Sequence, residues 1–144
     1  MIVPDANLLL YAVDSESPFH SKAKSWLEGV MNGTEEVGLC SPVLFAFIRL
    51  STNRKIFSNP LSLDDAFGYI QDWLNLPVCR SIQPSASYVQ DVKRLLVQAN
   101  SQGGNLVTDA QIAAIALHFK ATVHTADRDF KRFADVNVKM PLTY

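Results

Sequence analysis

The chain has 144 residues, 48% of them hydrophobic and 19% charged, the composition of an ordinary globular domain with enough chain to bury a core. Thirteen Lys and Arg against 14 Asp and Glu leave a formal net charge of −1, so charge alone does not mark a nucleic-acid binder. No apolar run approaches the ~18 residues needed to span a bilayer, and the N-terminus lacks a basic stretch leading into a hydrophobic block. The expectation is a cytoplasmic protein with no membrane association and one domain over residues 1–144. Cys40 and Cys79 lack metal-type spacing and read as buried thiols of a reducing compartment.

The first element is a short strand at residues 2–3, ending at Pro4, after which Asp5 interrupts the apolar "MIVPDANLLLYAVD". Residues 18–31 carry Phe19, Ala23, Trp26, Leu27 and Val30 at helical spacing, after the start signal "DSES". A second strand is expected at 37–40, then a helix at 42–51 that is nearly all apolar until Arg49 and reads as buried. The next helix, 62–75, opens "SLDDA", with a Ser cap and acids in its first turn. A third strand falls at 78–82 and a helix at 85–99. The Gly pair in "QGGN" reads as a turn feeding a strand at 105–108. A helix at 109–120 presents Ile112, Ile115, Ala116 and Phe119 to the core, and a last strand is expected at 122–125. Strands alternating with helices imply parallel pairing through right-handed crossovers, hence an α/β fold with a sheet covered on both faces.

In such a sheet, functional groups collect beyond the carboxyl ends of the strands, where strand order reverses. Three expected strand ends each deliver a carboxylate there: Asp5, Asp109 after "GNLVT" and Asp127 after "TVHTA", with Asp129 two residues on. Carboxylates sharing a poorly solvated crevice repel one another unless a cation compensates. Hard oxygen ligands suit Mg²⁺ or Mn²⁺, which can activate water and steady a phosphoryl transition state. Each acid alone also has a plainer reading. Asp5 fits a turn cap in "DAN". Thr108 and Gln111 form a capping box that would leave Asp109 complementing the helix dipole. "DRDF" fits a surface turn opening a short helix. Their convergence at one sheet edge favours the metal site.

The basic groups Arg49, Arg54 and Lys55, and Arg128, Lys131 and Arg132, fit either a phosphate backbone or solvated helix faces. His20, His118 and His124 are isolated, as core or surface histidines are, and there is no HExxH, GxSxG, P-loop or GxGxxG.

The segments "VPDANLLLYA", "FIRLSTNRKIF", "GNLVTDAQIAAIAL" and "TADRDFKRF", in this order and spacing, resemble the PIN-domain ribonucleases of the VapC toxin type nearly end to end. The resemblance implies an α/β/α sandwich around a parallel sheet, Mg²⁺- or Mn²⁺-dependent cleavage of RNA, a homodimer, and a cognate antitoxin that blocks the groove. By position it makes Asp5, Asp109 and Asp127 the metal-ligand and catalytic acids, Asn7 and Thr108 the polar residues flanking them, and Asp129 an accessory acid. Arg49 and Arg128 would then hold the RNA backbone.

One departure stands out. Most PIN nucleases carry a Glu early in the helix after the second strand, but here that helix reads "SPVLFAFIRL", and no Asp or Glu occurs from Val37 to Leu63. Residues 45–47 fall where the Glu is expected. Two readings follow: a three-acid endoribonuclease completed by water, Ser41, a substrate phosphate, or Glu35 or Glu36 swinging in; or a degenerate PIN fold that binds RNA or a protein without cutting. An aspartyl phosphotransferase would need DxD or an Asp pair at the first strand and a downstream Lys partner, and "DAN" offers neither. The apolar faces around Trp26, Phe45, Phe47 and Trp73 read first as core, and any part of them that one core does not cover would meet a second subunit or an antitoxin helix.

Overall fold

In the computed structural model, which describes residues 1–143, five strands form one sheet in the order β3-β2-β1-β4-β5. They are β1 (Ile2–Pro4), β2 (Val37–Cys40), β3 (Cys79–Ile82), β4 (Thr122–His124) and β5 (Asn137–Lys139), and every pairing is parallel. Ile2 is in register with Val37 on one side and Thr122 on the other, which makes β1 the central strand. Six helices flank the sheet: α1 (Ala6–Val13), α2 (His20–Met31), α3 (Ser41–Ser51), α4 (Leu63–Leu74), α5 (Tyr88–Gln98) and α6 (Leu106–His118), with a 3-10 turn at Arg128–Arg132. This is the α/β/α arrangement around a parallel sheet that the resemblance implied.

The central strands are buried throughout, because a parallel sheet is covered by helices on both faces. The helix starts follow local chemistry where the sequence is explicit: Ser62 caps α4, its hydroxyl accepting from the Asp65 N–H at 3.1 Å, with Asp64 and Asp65 in the first turn. Ile112, Ile115 and Ala116 of α6 are buried as their spacing required. Both cysteines are free and buried. Among the described residues, no helix is long and apolar enough to cross a membrane.

Three expectations are corrected, and two elements are added. Residues 105–108 are not a strand but the entry and first turn of α6, which therefore starts before Asp109. Gly103 and Gly104, at φ 96° and 64°, make the turn that feeds this helix. The apolar segment after Asp5 is helix α1, and Asn137–Lys139 adds a strand at the sheet edge. The Thr108–Gln111 capping box does not form, since α6 is entered at Asn105 with no side-chain cap.

The third concerns α3, whose aromatic residues divide between the core and the surface. Phe47 is wholly buried, edge-on to Trp73 with ring centroids 5.1 Å apart, and Trp73 is buried too, so both are core and unavailable to a partner. Trp26 is half-buried and donates its indole N–H to His124 Nδ1 at 3.1 Å. Phe45, on the opposite side of α3, is 63% exposed, so α3 is not the buried helix its composition suggested.

Because Phe47 joins α3 to α4 through Trp73 and Tyr69, Phe47→Ala is expected to cost about 3–5 kcal/mol, read as a lower urea midpoint with little change in slope.

Candidate metal centre

Strand order reverses at β1: the chain leads from it to β2 and β3 on one side, while β4 and β5 lie on the other. The crevice beyond the carboxyl ends of β1 and β4 is therefore the position at which open α/β sheets bind ligands. Asp5 follows β1 directly and caps α1, with Oδ1 accepting from the Ala6 N–H at 2.7 Å. Its backbone N–H donates to the His124 carbonyl at 2.8 Å, which ties it to the end of β4. It is only 7% exposed.

Thr125, fully buried and one residue past β4, links the acids. Its hydroxyl donates to Asp5 Oδ2 at 2.7 Å and its oxygen accepts from the Asp127 N–H at 2.9 Å. Asp127 Oδ1 in turn accepts from the Asp129 N–H at 2.9 Å and starts the 3-10 turn. Asn7 Oδ1 accepts from the Ala126 N–H at 3.4 Å, so it steadies the same segment. Sequence reasoning singled out Thr108 and passed over Thr125. The available signal was a Thr two residues before an Asp at a strand end, since a hydroxyl can accept from the backbone two positions on.

Asp109 arrives from the first turn of α6 rather than from a strand. Oxygens of Asp109, Asp127 and Asp129 all lie within 4.8 Å of one another. Burial, followed by the charges of Asp5, Asp127 and Asp129, pushes the Asp109 carboxyl up to about 7. Burial likewise raises Asp5, against the lowering effect of the hydrogen bonds from Thr125 and Ala6. The tight group thus contains Asp109 and Asp127 with Asp129 as its third member. Asp5 lies beside it, close enough to be felt electrostatically, with both oxygens engaged. A carboxylate keeps further lone pairs when each oxygen accepts once, so Asp5 retains the capacity to coordinate. Three carboxylates with no His or Cys among them form the hard-oxygen donor set that fits Mg²⁺ or Mn²⁺.

The remaining sequence candidates fall around this group. Thr108 is half-buried one residue before Asp109, and Arg128 is exposed between Asp127 and Asp129. Arg49 is exposed in the last turn of α3, about 12 Å along the axis from Ser41. Nothing on α3 replaces the missing Glu: Phe47 is core and Phe45 faces solvent. Glu35 and Glu36 precede β2 and sit at the opposite, amino edge of the sheet, where Glu36 pairs with Arg80 at 2.8 Å, so a swing into the site is excluded. Cys40, at the end of β2, is pushed up to about 11 by burial, with Asp5 adding to the effect, and is no ligand for a hard cation. His124 is pulled down to about 4 by burial, then Lys139, and remains a neutral acceptor for Trp26.

Comparison with known proteins gives concordant results. Residues 2–136 match the PIN domain. The chain is 37% identical to Ribonuclease VapC33 of Mycobacterium tuberculosis over 142 residues, covering 99% of both chains. It is 36% identical to Ribonuclease VapC37 of the same organism over 141 residues, covering 98% of this chain and 97% of that one. Among solved structures, M. tuberculosis VapC20, described as a sarcin-ricin loop cleaving toxin, superposes with a TM-score of 0.70 at 18% identity over 95% of this chain and 99% of that one. The Rickettsia felis VapBC2 complex, bound to a promoter DNA fragment, superposes with a TM-score of 0.68 at 22% identity over 96% of this chain and 98% of that one. At these identities the structural likenesses speak to the fold.

Repulsion at Asp109 has a measurable consequence. Its folded pKa lies above the ordinary 3.8, so the metal-free fold binds more protons than the unfolded chain between pH 3.8 and about 7 and loses stability as pH rises through that window. Asp109→Asn should therefore raise the metal-free unfolding midpoint at pH 8 and leave it nearly unchanged near pH 4. The gain at the higher pH is about 1–2 kcal/mol once solvent screening of a half-exposed group is allowed for, measured by thermal unfolding in chelator.

Proposed function

The chain belongs to the PIN-domain family, and from that premise we propose that it is a metal-dependent endoribonuclease, the toxin member of a toxin–antitoxin pair, acting in the cytoplasm as one nuclease domain over residues 1–144. The observation that carries this reading is the cluster of Asp109, Asp127 and Asp129 at the sheet's switch point, with Asp109 pushed up to about 7 by burial and by acids of the same sign. Carboxylates assembled against their own repulsion make physical sense as a cation site. The ribonuclease names of relatives matched over nearly their full length support RNA as substrate.

Asp109 and Asp127 are the principal ligands in this proposal, with Asp5 and Asp129 completing the acidic ring. Bound Mg²⁺ or Mn²⁺ would supply the means to deprotonate water near neutral pH and to offset charge on a phosphodiester. The chain's own contribution is placement. Thr125 and the Ala6 N–H fix Asp5, while Asp127 is held by its N–H bond to Thr125 and by accepting from Asp129. Arg128, exposed beside the acids, and Arg49 along α3 would hold backbone phosphates, and unpaired loops, whose backbone can enter a crevice, are the preferred RNA form. Leu63 and Phe67, one turn apart on α4 and each at least 50% exposed, are the apolar surface through which we place a homodimer. The superposed VapBC2 complex supports a cognate antitoxin as the second partner.

A second reading has its own observation: no acid on α3 faces the crevice, as a degenerate fold that binds RNA or a partner without cutting would show. Incubation of purified protein with fluorescently labelled structured RNAs separates the two. Cleavage is expected with Mg²⁺ or Mn²⁺, abolished by EDTA, and reduced on the order of 100-fold or more in Asp5→Asn and Asp109→Asn. Cleavage that survives EDTA, or equals wild type in both variants, contradicts the nuclease site. Retention of RNA without cleavage supports the second reading.

A further inference from the structure

We propose that the cavity between the C-terminal ends of α1 and α3 receives the side chain of an arginine presented by a partner polypeptide. Its volume is about 130 Å³. That suits one long side chain and is well below the roughly 300 Å³ at which cofactor and small-ligand pockets begin. The floor is apolar, with Leu10 and Val13 from α1 and Phe57 and Leu61 from the connection at 52–62. The rim is acidic, carrying Asp14 and Glu16. Asp14 is the C-cap of α1 and Ser51 is the last residue of α3, so the carbonyl ends of two helices meet at the cavity, and both favour a cation.

Ser51 adds a weakly bonded hydroxyl to the cavity wall. It lines the cavity and is 3% exposed, yet among the described residues its hydroxyl makes one hydrogen bond, a 3.5 Å contact to the Ile48 carbonyl. That is well beyond the usual length for a hydroxyl bond, whereas buried hydroxyls as a rule are well paired. Its oxygen keeps acceptor capacity at the cavity wall, beside the acids of the rim.

The acids also have capacity to spare. Asp14 Oδ1 accepts from the Glu16 N–H at 3.1 Å and Glu16 Oε2 accepts from the Ser58 hydroxyl at 2.8 Å, leaving lone pairs on both carboxylates. The ion pairs among the described residues, Arg80 with Glu36 and Arg94 with Asp91, involve neither. Acceptors spread around a small rim match the five N–H donors of a planar guanidinium better than the point charge of an ammonium, and the apolar floor suits its alkyl stem. A free amino acid would bring its own carboxylate to an acidic rim, whereas an arginine inside a polypeptide would not. None of these residues belongs to the acid cluster, so the cavity can be tested apart from metal binding and cleavage.

The test is an NMR titration of the ¹⁵N-labelled full-length protein with Nα-acetyl-arginine methylamide. Saturable shifts are expected at residues 13–16, 51 and 57–61. Acetyl-lysine methylamide and free arginine should bind more weakly and acetyl-citrulline methylamide not at all. In the Asp14→Asn, Glu16→Gln double variant, binding should weaken about tenfold or more. Glu16 also anchors Ser58, so Ser58→Ala, which removes that hydrogen bond but keeps the charge, should still bind. No response, equal shifts with the citrulline probe, shifts confined to the surroundings of Asp109 and Asp127, or loss of binding in Ser58→Ala would each overturn the proposal.

Discussion

The hydroxyl of Thr125 is the interaction on which the candidate site depends. It donates to Asp5 and accepts from the Asp127 N–H, and it has no exposed surface, so neither bond competes with water. Through it the ends of β1 and β4 are joined by side chains where their backbones diverge. Asp109 is added from α6, across the crevice, into the field of the other acids. The result is a rigid frame carrying like charges that the fold alone does not neutralise. The opposition between a well-bonded frame and an unbalanced charge is what makes a cation the natural completion of the site.

Much of this was legible from residues, and the failures share a cause. Asp5 and Asp127 could be placed at the carboxyl end of the sheet because they closely follow the apolar strands β1 and β4, whereas the strand expected before Asp109 is the first turn of α6. Helix α1 was not legible, because it is only eight residues long and one residue separates it from β1, so its apolar run merges with that of the strand. Residues 105–108 look like a strand from Val107 and Thr108, but Leu106 and Ala110 face the core at helical spacing, and packing outweighs a weak β preference. Strand β5 sits at the sheet edge with Asn137 and Lys139 exposed, so it carries no apolar run to detect. Thr125 was hidden for another reason: a Thr in "TVHTA" reads as ordinary strand composition until its partner, 120 positions away in sequence, is known.

The absent acid of α3 is explained by what the helix does instead. Phe47 is committed to Trp73 and Tyr69, and Phe45 lies on the opposite side in solvent. A carboxylate in place of Phe47 would be buried without a partner, at a cost of several kcal/mol. The helix packs α4 on one side and presents an apolar side chain to solvent on the other, and the third carboxylate of the tight group is Asp129.

Isothermal titration calorimetry with Mn²⁺ at pH 8 is the most direct test of the claim that the acids form a metal centre. Wild-type protein should give a saturable heat that is lost in Asp109→Asn, while the variant remains folded. No heat in the wild type, or the same heat in the variant, would contradict it.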